Sequence, residues 1–521
     1  MKKIYSIVFL FITLVMASGC KKEFEDKFKN PNQAEHVPPD LIFTGIINEM
    51  YEAPFGGSER WGQYTAANYF YYNTNNYDWT GASLDYPTVK NIVKMEEEAN
   101  RLGGVVAKPY LALAKFFKAY FFVRMSLKVG DLPMTEALKG SANLTPKYDL
   151  QKDIFKQSLG WLEESNNDLN GLITAGNTEL RGDFYLKNSL PAWQKVVNSF
   201  HLRTLLQLSK KVDDADLQLK QQFAAILSNP AKYPLMESMS DNLQYVYNES
   251  ANKYPNNKDN LGNDALRYNM AATYLNTLST LHDPRAYMVA EPAWGIAKEH
   301  NYVLTDFRNF VGASSGEDQG VMLDKVQKGM YSLIGRYRYY SGYTAENTFI
   351  ISYPELCFNI AEGINRGWAT GDAASWYKKG IQASMGFYGI KEGANSVYFA
   401  KKDGKAGDYD SFTISFSFEN DYYTQSAVKY AGNNTDGLNQ ILTQKYLAFF
   451  RNSGFEAYNQ YRRTGVPNFL TGPGTGNSGR IPLRFQYPTV DRTTNGDQLN
   501  IAVTRQYGGV DDINLAPWIV K

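Results

Sequence analysis

The fold is decided by a pair of helical patterns late in the chain, "YPELCFNIAEGINRGW" (353–368) and "DAASWYKKGIQASMGFYG" (372–389). The apolar positions of the first pattern recur at helical spacing: Leu356, Ile360 and Ile364. A short turn that contains Gly371 separates the two patterns. Two antiparallel helices within roughly 34 residues have the size of a tetratricopeptide unit. Any helical hairpin has a similar pattern, so this pair alone predicts two packed helices and not yet a repeat array.

Helical patterns recur along the rest of the chain. They predict further helices over 87–104, 109–130, 149–169, 191–211, 216–229 and 438–463. Long stretches rich in aromatic residues, asparagine and glycine separate them: 51–86, 230–262, 291–348, 390–436 and 464–521. Their number argues against a plain helical bundle. Long irregular segments in a compact protein are usually functional, so binding residues are expected in them.

The charge of the chain argues against a nucleic-acid partner. Its 521 residues include 54 Lys and Arg against 53 Asp and Glu, whereas nucleic-acid binding depends on neutralising phosphates. The basic and aromatic run "RYRYY" (336–340) is better explained by arginines stacked on tyrosines. Tyrosine outnumbers phenylalanine, 38 to 29, which favours rings at wet surfaces.

The N-terminus has the order of a signal peptide. Two lysines precede an apolar run over 4–16, and the small residues of "ASGC" (17–20) follow. A cysteine directly after small residues is typical of a bacterial lipoprotein signal, in which the chain is cut before the cysteine. Ala17 stands where leucine is usual, so an ordinary secretory signal is the alternative. We predict a signal peptide over 1–19 and acylation of Cys20 with palmitate-type chains, which would anchor the protein to a membrane.

The residues after Cys20 predict a tether. The composition of "KKEFEDKF" resembles an export signal to the outer face of the outer membrane, and a solvated linker explains it equally well. The predicted organisation is a signal peptide (1–19), a lipid-anchored tether (20–40) and one domain (41–521). Cys357 is the other cysteine of the chain, and it is expected to be a small core residue without a disulfide partner.

The segment "WGQYTAANYFYYNTNNYDWT" (61–80) suggests a ligand. Eight of its twenty residues are aromatic and four are asparagine. A core would accept the rings but not so many amides, and a nucleic-acid groove would add cations. A sugar-binding surface uses both, because rings lie under apolar pyranose faces and amides bond to hydroxyls. The predicted ligand residues are Tyr72, Tyr77 and Trp79 as stacking rings, Asn75 and Asn76 as amides, and Trp294 of "EPAWG" as a second wall.

Burial in a core is the alternative for part of this segment. Trp61 and Tyr64 precede the run of rings and are expected to be core residues if a helix forms there. The run "YFYY" (69–72) cannot point every ring the same way.

Signals of an enzyme are weak. The motif "GTGNSG" (474–479) has dinucleotide-binding spacing, but the following "RIPLRFQYP" is broken by two prolines, so a loop is expected. The four histidines are not paired at metal-ligand spacing. We predict no catalytic residue, no cofactor and no metal site. Because a glycosidase needs only two well-placed carboxylates, a glycoside hydrolase stays an alternative.

Several stretches in order along the chain resemble the SusD/RagB family of outer-membrane nutrient-binding lipoproteins. They are "KFKNPNQ" (27–33) and segments within 114–138, 192–211, 281–293, 351–368, 442–469 and 481–495. The resemblance implies a mostly α fold, with a scaffold of about four tetratricopeptide-like helix pairs and a large irregular, loop-rich half. It also implies that the matched residues hold the scaffold together: Trp193, Arg203, Glu362, Trp368, Arg462 and Arg463.

The same resemblance implies a binding function without chemistry. Members are lids of a SusC-like TonB-dependent outer-membrane transporter, on which they trap an oligosaccharide or, in some members, a peptide. The protein is then expected to be lipid-anchored in the outer membrane, facing the cell exterior, with no nucleic acid as partner. The rings and amides of 61–80 favour a glycan over a peptide. A scaffold lipoprotein that binds no nutrient is a further alternative.

Overall fold

The computed structural model describes residues 36–261, 265–402, 404–405 and 407–521. The predicted signal peptide (1–19), Cys20 and most of the predicted tether (20–40) therefore lie outside the described residues. The first described helix begins at Pro39.

The described helices and strands, numbered in chain order, cover both the predicted helical and the predicted irregular regions. The helices are α1 Pro39–Asn48, α2 Gly57–Trp61, α3 Tyr86–Leu102, α4 Gly104–Val129, α5 Gln151–Thr174, α6 Leu190–Gln207, α7 Leu219–Ser228, α8 Ala272–Thr280, α9 Arg285–Val289, α10 Trp294–His300, α11 Gln319–Gln327, α12 Arg336–Tyr340, α13 Tyr353–Asn365, α14 Ala373–Phe387, α15 Thr435–Ala448, α16 Glu456–Thr464, α17 Thr489–Thr494 and α18 Gly496–Tyr507. The strands are β1 Thr65–Ala67, β2 Leu243–Tyr245, β3 Tyr268–Met270, β4 Thr348–Ile351, β5 Gly393–Ala400 and β6 Tyr409–Phe416.

Consecutive helix pairs form a tetratricopeptide-like scaffold, as the family resemblance implied. In the described chain the packed pairs are α3 with α4, α5 with α6, and α13 with α14, while α16 follows α15 and its Gln460 amide donates to the Leu442 carbonyl at 2.8 Å. Neighbouring pairs pack on one another through α4 and α5, α6 and α13, and α13 and α15. Two glycines allow close packing here. A Cβ at Gly363 would lie 2.2 Å from the ring of Phe223, and one at Gly380 would lie 2.8 Å from the ring of Phe358.

Two details of the helices differ from the sequence patterns. The single helix predicted over 438–463 is two helices, because Arg451, Ser453 and Gly454 have positive φ angles of 58°, 60° and 55° that a right-handed helix excludes. Helix α4 begins at Gly104, so Pro109 lies inside it and not at its first turn. Proline has no N–H to donate to the carbonyl of Val105, and the side-chain amide of Asn177 donates to that carbonyl instead, at 3.0 Å.

Buried ion pairs join the helix pairs. Arg203 of α6 donates to both carboxylate oxygens of Glu355 of α13, each at 2.5 Å. Arg463 of α16 donates to the carboxylate of Glu362 of α13 at 2.5 and 3.1 Å. Trp193, Trp368 and Arg462 are also buried in the scaffold. These contacts confirm the expected scaffold role of Arg203, Glu362 and Arg463, and for Trp193, Trp368 and Arg462 that role stays a prediction.

The irregular half packs against the scaffold with a core of its own, rich in tyrosine. The described strands form two-stranded antiparallel sheets: β1 with β3, β2 with β4, and the hairpin β5 with β6. Short helices that the sequence patterns did not predict, α8 to α12, lie between these strands. Tyr64 is an example of the close packing in this half. Its ring stacks on Tyr446 at 4.6 Å and its hydroxyl donates to the Tyr446 carbonyl at 2.7 Å.

Cys357 is a buried free thiol of α13, as expected. Burial raises the pKa of this thiol to about 12. Among the described helices, none combines the length and the apolar character needed to cross a bilayer.

Candidate functional site

The most exposed group of rings in the predicted segment is the run Tyr69, Phe70, Tyr71 and Tyr72, here called the aromatic patch. These side chains are 40, 73, 82 and 41% exposed, respectively. The three tyrosine rings contact one another, with centroids 5.3 to 6.5 Å apart. Adjacent solvent-exposed rings are costly to keep in water, so such a patch indicates a surface that binds something.

The aromatic patch lies on a loop that is anchored at its base. The backbone N–H of Asn68 donates to the Arg267 carbonyl at 3.0 Å, and its side-chain amide donates to Asn269 Oδ1 at 3.0 Å. The guanidinium of Arg267 lies 4.9 Å from the ring of Tyr69 and 5.3 Å from that of Tyr72. This cation–π contact orders two of the rings and leaves a positive charge beside them.

Asn75 closes the loop from the other side. Its amide oxygen accepts from the N–H of Ala67 at 2.7 Å, and its amide nitrogen donates to the Ala67 carbonyl at 2.8 Å. The amide therefore pairs with the backbone of β1 as a neighbouring strand would. Asn76 is half-buried: its carbonyl accepts from the indole of Trp61 at 3.1 Å and its Oδ1 accepts from Thr74 at 3.1 Å. Both predicted amides thus have partners within the protein.

Tyr77 is buried beneath the loop. Its hydroxyl donates to the Trp61 carbonyl at 3.1 Å and accepts from Gln63 at 3.2 Å. Burial raises the pKa of Tyr77 above its usual value. Its backbone N–H donates to the carbonyl of Thr475 at 2.8 Å. The expected loop "GTGNSG" (474–479) consists of short turns, and it holds this segment in place.

Trp79 lies inside the protein, 5% exposed. Its ring is stacked on Phe485, with centroids 4.1 Å apart and planes 6° from parallel. Trp61 and Tyr458 meet it edge-on at 5.1 and 4.9 Å. Phe485 and Tyr458 also line a cavity of about 240 Å³ between the scaffold and the irregular half. The stack supports the junction of the two halves; Trp79 and Tyr458 are buried, and Trp61 and Phe485 are partly exposed.

Trp294 is half-buried at the start of α10 and lies elsewhere. It lines a small cavity of about 90 Å³ together with Tyr331 and Arg336. That cavity shares no lining residue with the segment 69–79. Of the predicted ligand residues, the structure therefore leaves Tyr72 on an open surface. Ligand contact by Asn75, Asn76, Tyr77, Trp79 and Trp294 stays a prediction, and burial or internal bonding works against it.

Tyr69, Phe70 and Tyr71 were not among the predicted ligand residues. One signal could have found them: four consecutive rings flanked by Asn68 and Asn73 have neither helical nor strand periodicity, so they have no common face to bury. In the described part of the chain, no three His, Cys, Asp or Glu side chains are grouped as a metal site.

A family model described as "Starch-binding associating with outer membrane" matches residues 45–488. The chain belongs to the SusD-like family. Solved structures of SusD-like proteins superpose over most of it. A SusD homolog from Bacteroides fragilis NCTC 9343 has 29% identity and a TM-score of 0.79, covering 93% of this chain and 100% of its own. A second homolog from that strain has 27% identity and a TM-score of 0.75, with coverage of 93% and 100%.

More distant SusD-like structures share the fold. A chitin-binding SusD homolog from Flavobacterium johnsoniae has 19% identity and a TM-score of 0.66, covering 93% of this chain and 98% of its own. No protein of curated function matches the chain. SusD-like proteins bind nutrients and glycans at the outer membrane, and they are binding proteins, not enzymes. This SusD-like chain is thus expected to act through a surface, and the aromatic patch is the surface to test.

Proposed function

We propose that this SusD-like protein captures a nutrient oligosaccharide on the cell surface and that the aromatic patch is its binding surface. The observation that carries the proposal is the exposure of four consecutive rings on an anchored loop. Each ring has a broad apolar face and few rotatable bonds, so little conformational entropy is lost when a pyranose stacks on it.

The chemistry of the aromatic patch favours a neutral glycan. Its four side chains carry no charge, and Arg267 supplies guanidinium donors beside them. Sugar hydroxyls accept from such donors, while the C–H faces of the sugar cover the rings. A chitin-binding SusD homolog shares this fold, which is consistent with a glycan ligand. A peptide ligand is the alternative, because tyrosines and an arginine also bind extended peptides.

Substitution of Tyr71 by alanine tests the proposal. The expected loss of affinity is about 1 to 3 kcal/mol, on the scale of base–aromatic stacking used as an analogy. Calorimetric titration with malto-, chito- and xylo-oligosaccharides and with a peptide mixture measures it. Leu144→Ala is the matched control, since Leu144 is 75% exposed outside the patch. If Tyr71→Ala and Phe70→Ala leave glycan binding unchanged, the aromatic patch is not the binding surface. If the protein binds peptides and no glycan, the ligand class is peptide.

We further propose that Cys20 is acylated and that the protein is the lid of a SusC-like TonB-dependent transporter. Family membership supports both statements, and the interface of such a lid should exceed the roughly 1,600 Å² of a standard one. Cys20→Ala should release the protein from the membrane fraction, and a barrel protein should co-purify with the wild type in mild detergent. An unchanged membrane fraction, or a lone monomer under gentle conditions, would contradict these two proposals, respectively.

The protein is proposed to bind its glycan without cleaving it. Incubation of the pure protein with each bound oligosaccharide should release no new reducing ends. Steady release that scales with protein concentration would instead support the hydrolase alternative.

A further inference from the structure

A second polar and aromatic cleft lies in the irregular half, apart from the aromatic patch. Its volume is about 390 Å³, within the range of small-molecule sites. Helices α9 and α12, the turn after α12, the two residues that follow α14, and strand β5 form its walls. It shares no lining residue with the segment 69–79.

One wall of the cleft is a set of tyrosines. The ring of Tyr337 stacks on Tyr398 at 4.1 Å with planes 20° apart, and Tyr409 meets it edge-on at 5.2 Å. Tyr337 is nevertheless 42% exposed. The hairpin explains the placement: along β5, Val397 and Phe399 are buried in the core, so the alternating Tyr398 is on the opposite face. A ring wall is thus held rigidly and remains open to solvent.

The floor of the cleft is the guanidinium of Arg338, whose positive charge is neutralised by the carboxylate of Glu346. Arg338 lies 4.7 Å from the ring of Tyr388, and its Nε donates to Glu346 at 2.6 Å. Its terminal nitrogens donate to the carbonyls of Phe387 and Tyr388 at 3.3 and 3.4 Å. The ion pair fixes the group and cancels its charge, which disfavours an anionic ligand and suits a neutral one.

The rim of the cleft carries hydroxyls and open backbone. Ser341, Thr344 and Ser396 are exposed there. A Cβ at Gly342 or Gly389 would meet no atom within 4 Å, so both glycines border open space. The turn itself is held, because the N–H of Lys258 donates to the Gly342 carbonyl at 3.2 Å.

We propose that this cleft is a second carbohydrate site, which takes a neutral pyranose unit of the same glycan class as the aromatic patch. The class of ligand in this inference rests on the proposed function. The location of the site rests on the residues of the cleft alone. The exposed ring of Tyr337 stacks on the sugar with Tyr398 behind it, and the rim hydroxyls and Arg338 bond to the sugar hydroxyl groups. Two sites on one chain raise the avidity for a long glycan without tighter individual contacts.

Calorimetric titration tests whether the cleft binds a sugar. The wild type and three variants are each titrated with the short oligosaccharide that the wild type binds. The probes are maltohexaose, chitohexaose and xylohexaose. The wild type should bind at two sites, and Tyr337→Ala should remove one of them while Tyr71→Ala removes the other. Retention of Tyr337→Ala on a gel that contains the matching polysaccharide should fall about tenfold, as expected for loss of one stacking contact. Tyr302→Ala, a surface tyrosine paired with Arg308 outside both sites, is the control.

A second variant protects the test against misfolding. Ser396→Ile adds bulk at the rim on the outward face of β5 and removes no core contact. It should lower the site count as Tyr337→Ala does, with an unchanged melting temperature. If the wild type has one binding site and neither Tyr337→Ala nor Ser396→Ile affects it, the second site in the cleft is refuted and the proposed function is not. If Tyr337→Ala abolishes binding and Tyr71→Ala leaves it unchanged, the cleft is supported as a glycan site and the aromatic patch is refuted as one. No glycan binding by the wild type would overturn both.

Discussion

Trp79→Ala distinguishes a ligand-binding ring from a structural one. As a stacking residue on the surface, Trp79 would affect affinity and leave stability nearly unchanged. In the structure its ring is 5% exposed, lies against Phe485 at 4.1 Å and meets Trp61 and Tyr458 edge-on. The truncation should therefore destabilise the junction between the helical scaffold and the irregular half.

The expected magnitude follows from the area that the ring buries. An aromatic side chain buries about 150 to 250 Å², which at about 25 cal/mol per Å² corresponds to about 4 to 6 kcal/mol. The indole N–H of Trp79 has no acceptor among the described residues, and an unpaired buried donor costs about 1 to 3 kcal/mol. Losing the ring removes that cost too, so the net loss should be about 1 to 5 kcal/mol, which overlaps the roughly 3 to 5 kcal/mol of large aromatic truncations.

Urea unfolding followed by far-UV circular dichroism measures this loss, because the signal does not depend on the removed indole. Trp79→Phe should retain most of the stability, since a phenyl ring keeps the stack on Phe485. Tyr71→Ala is the exposed counterpart and should change the midpoint little. If Trp79→Ala weakens glycan binding with an unchanged midpoint, the buried position in the structure does not describe the binding state and the reasoning fails.

Two further predictions concern buried ionisable groups. Burial lowers the pKa of His201 to about 4, against about 6.5 in an unfolded chain, so its contribution to stability should be lost as the pH falls through that window. His201→Gln should flatten the pH dependence of the urea midpoint there, and parallel curves would contradict this. Arg463→Ala leaves the buried Glu362 without its bidentate partner and should cost about 3 to 5 kcal/mol. Adding Glu362→Ala should recover part of that loss; full additivity would show that the pair does not interact.

The charge cluster around Glu362 explains why its removal should be costly. Burial alone would raise the pKa of this carboxyl, but Arg463, Arg366 and Lys445 outweigh burial and hold the pKa below its usual range. The carboxylate is thus stable only as part of the cluster, and the scaffold depends on all of its members.

Helix positions were readable from the sequence, because a buried helical face repeats every three to four residues whatever it packs against. Helices were predicted at α3 to α7, α13 and α14, and the structure has them. The division between α15 and α16 was not predicted. It arises from left-handed residues at 451, 453 and 454, where the N–H groups of Arg451 and Ser453 donate to the Glu59 carboxylate and the Phe349 carbonyl.

The sequence by itself determined the helical scaffold, the near-neutral charge and the presence of a ring-rich segment at 61–80. Only the tertiary structure decided which rings of that segment face outward. Irregular backbone has no period that assigns side chains to a face. The direction of each side chain therefore depends on distant partners. Trp79 stacks on Phe485 in the interior, while Tyr69 and Tyr72 contact Arg267 at the surface. Those partners are 195 to 406 residues away along the chain, beyond the reach of any local pattern.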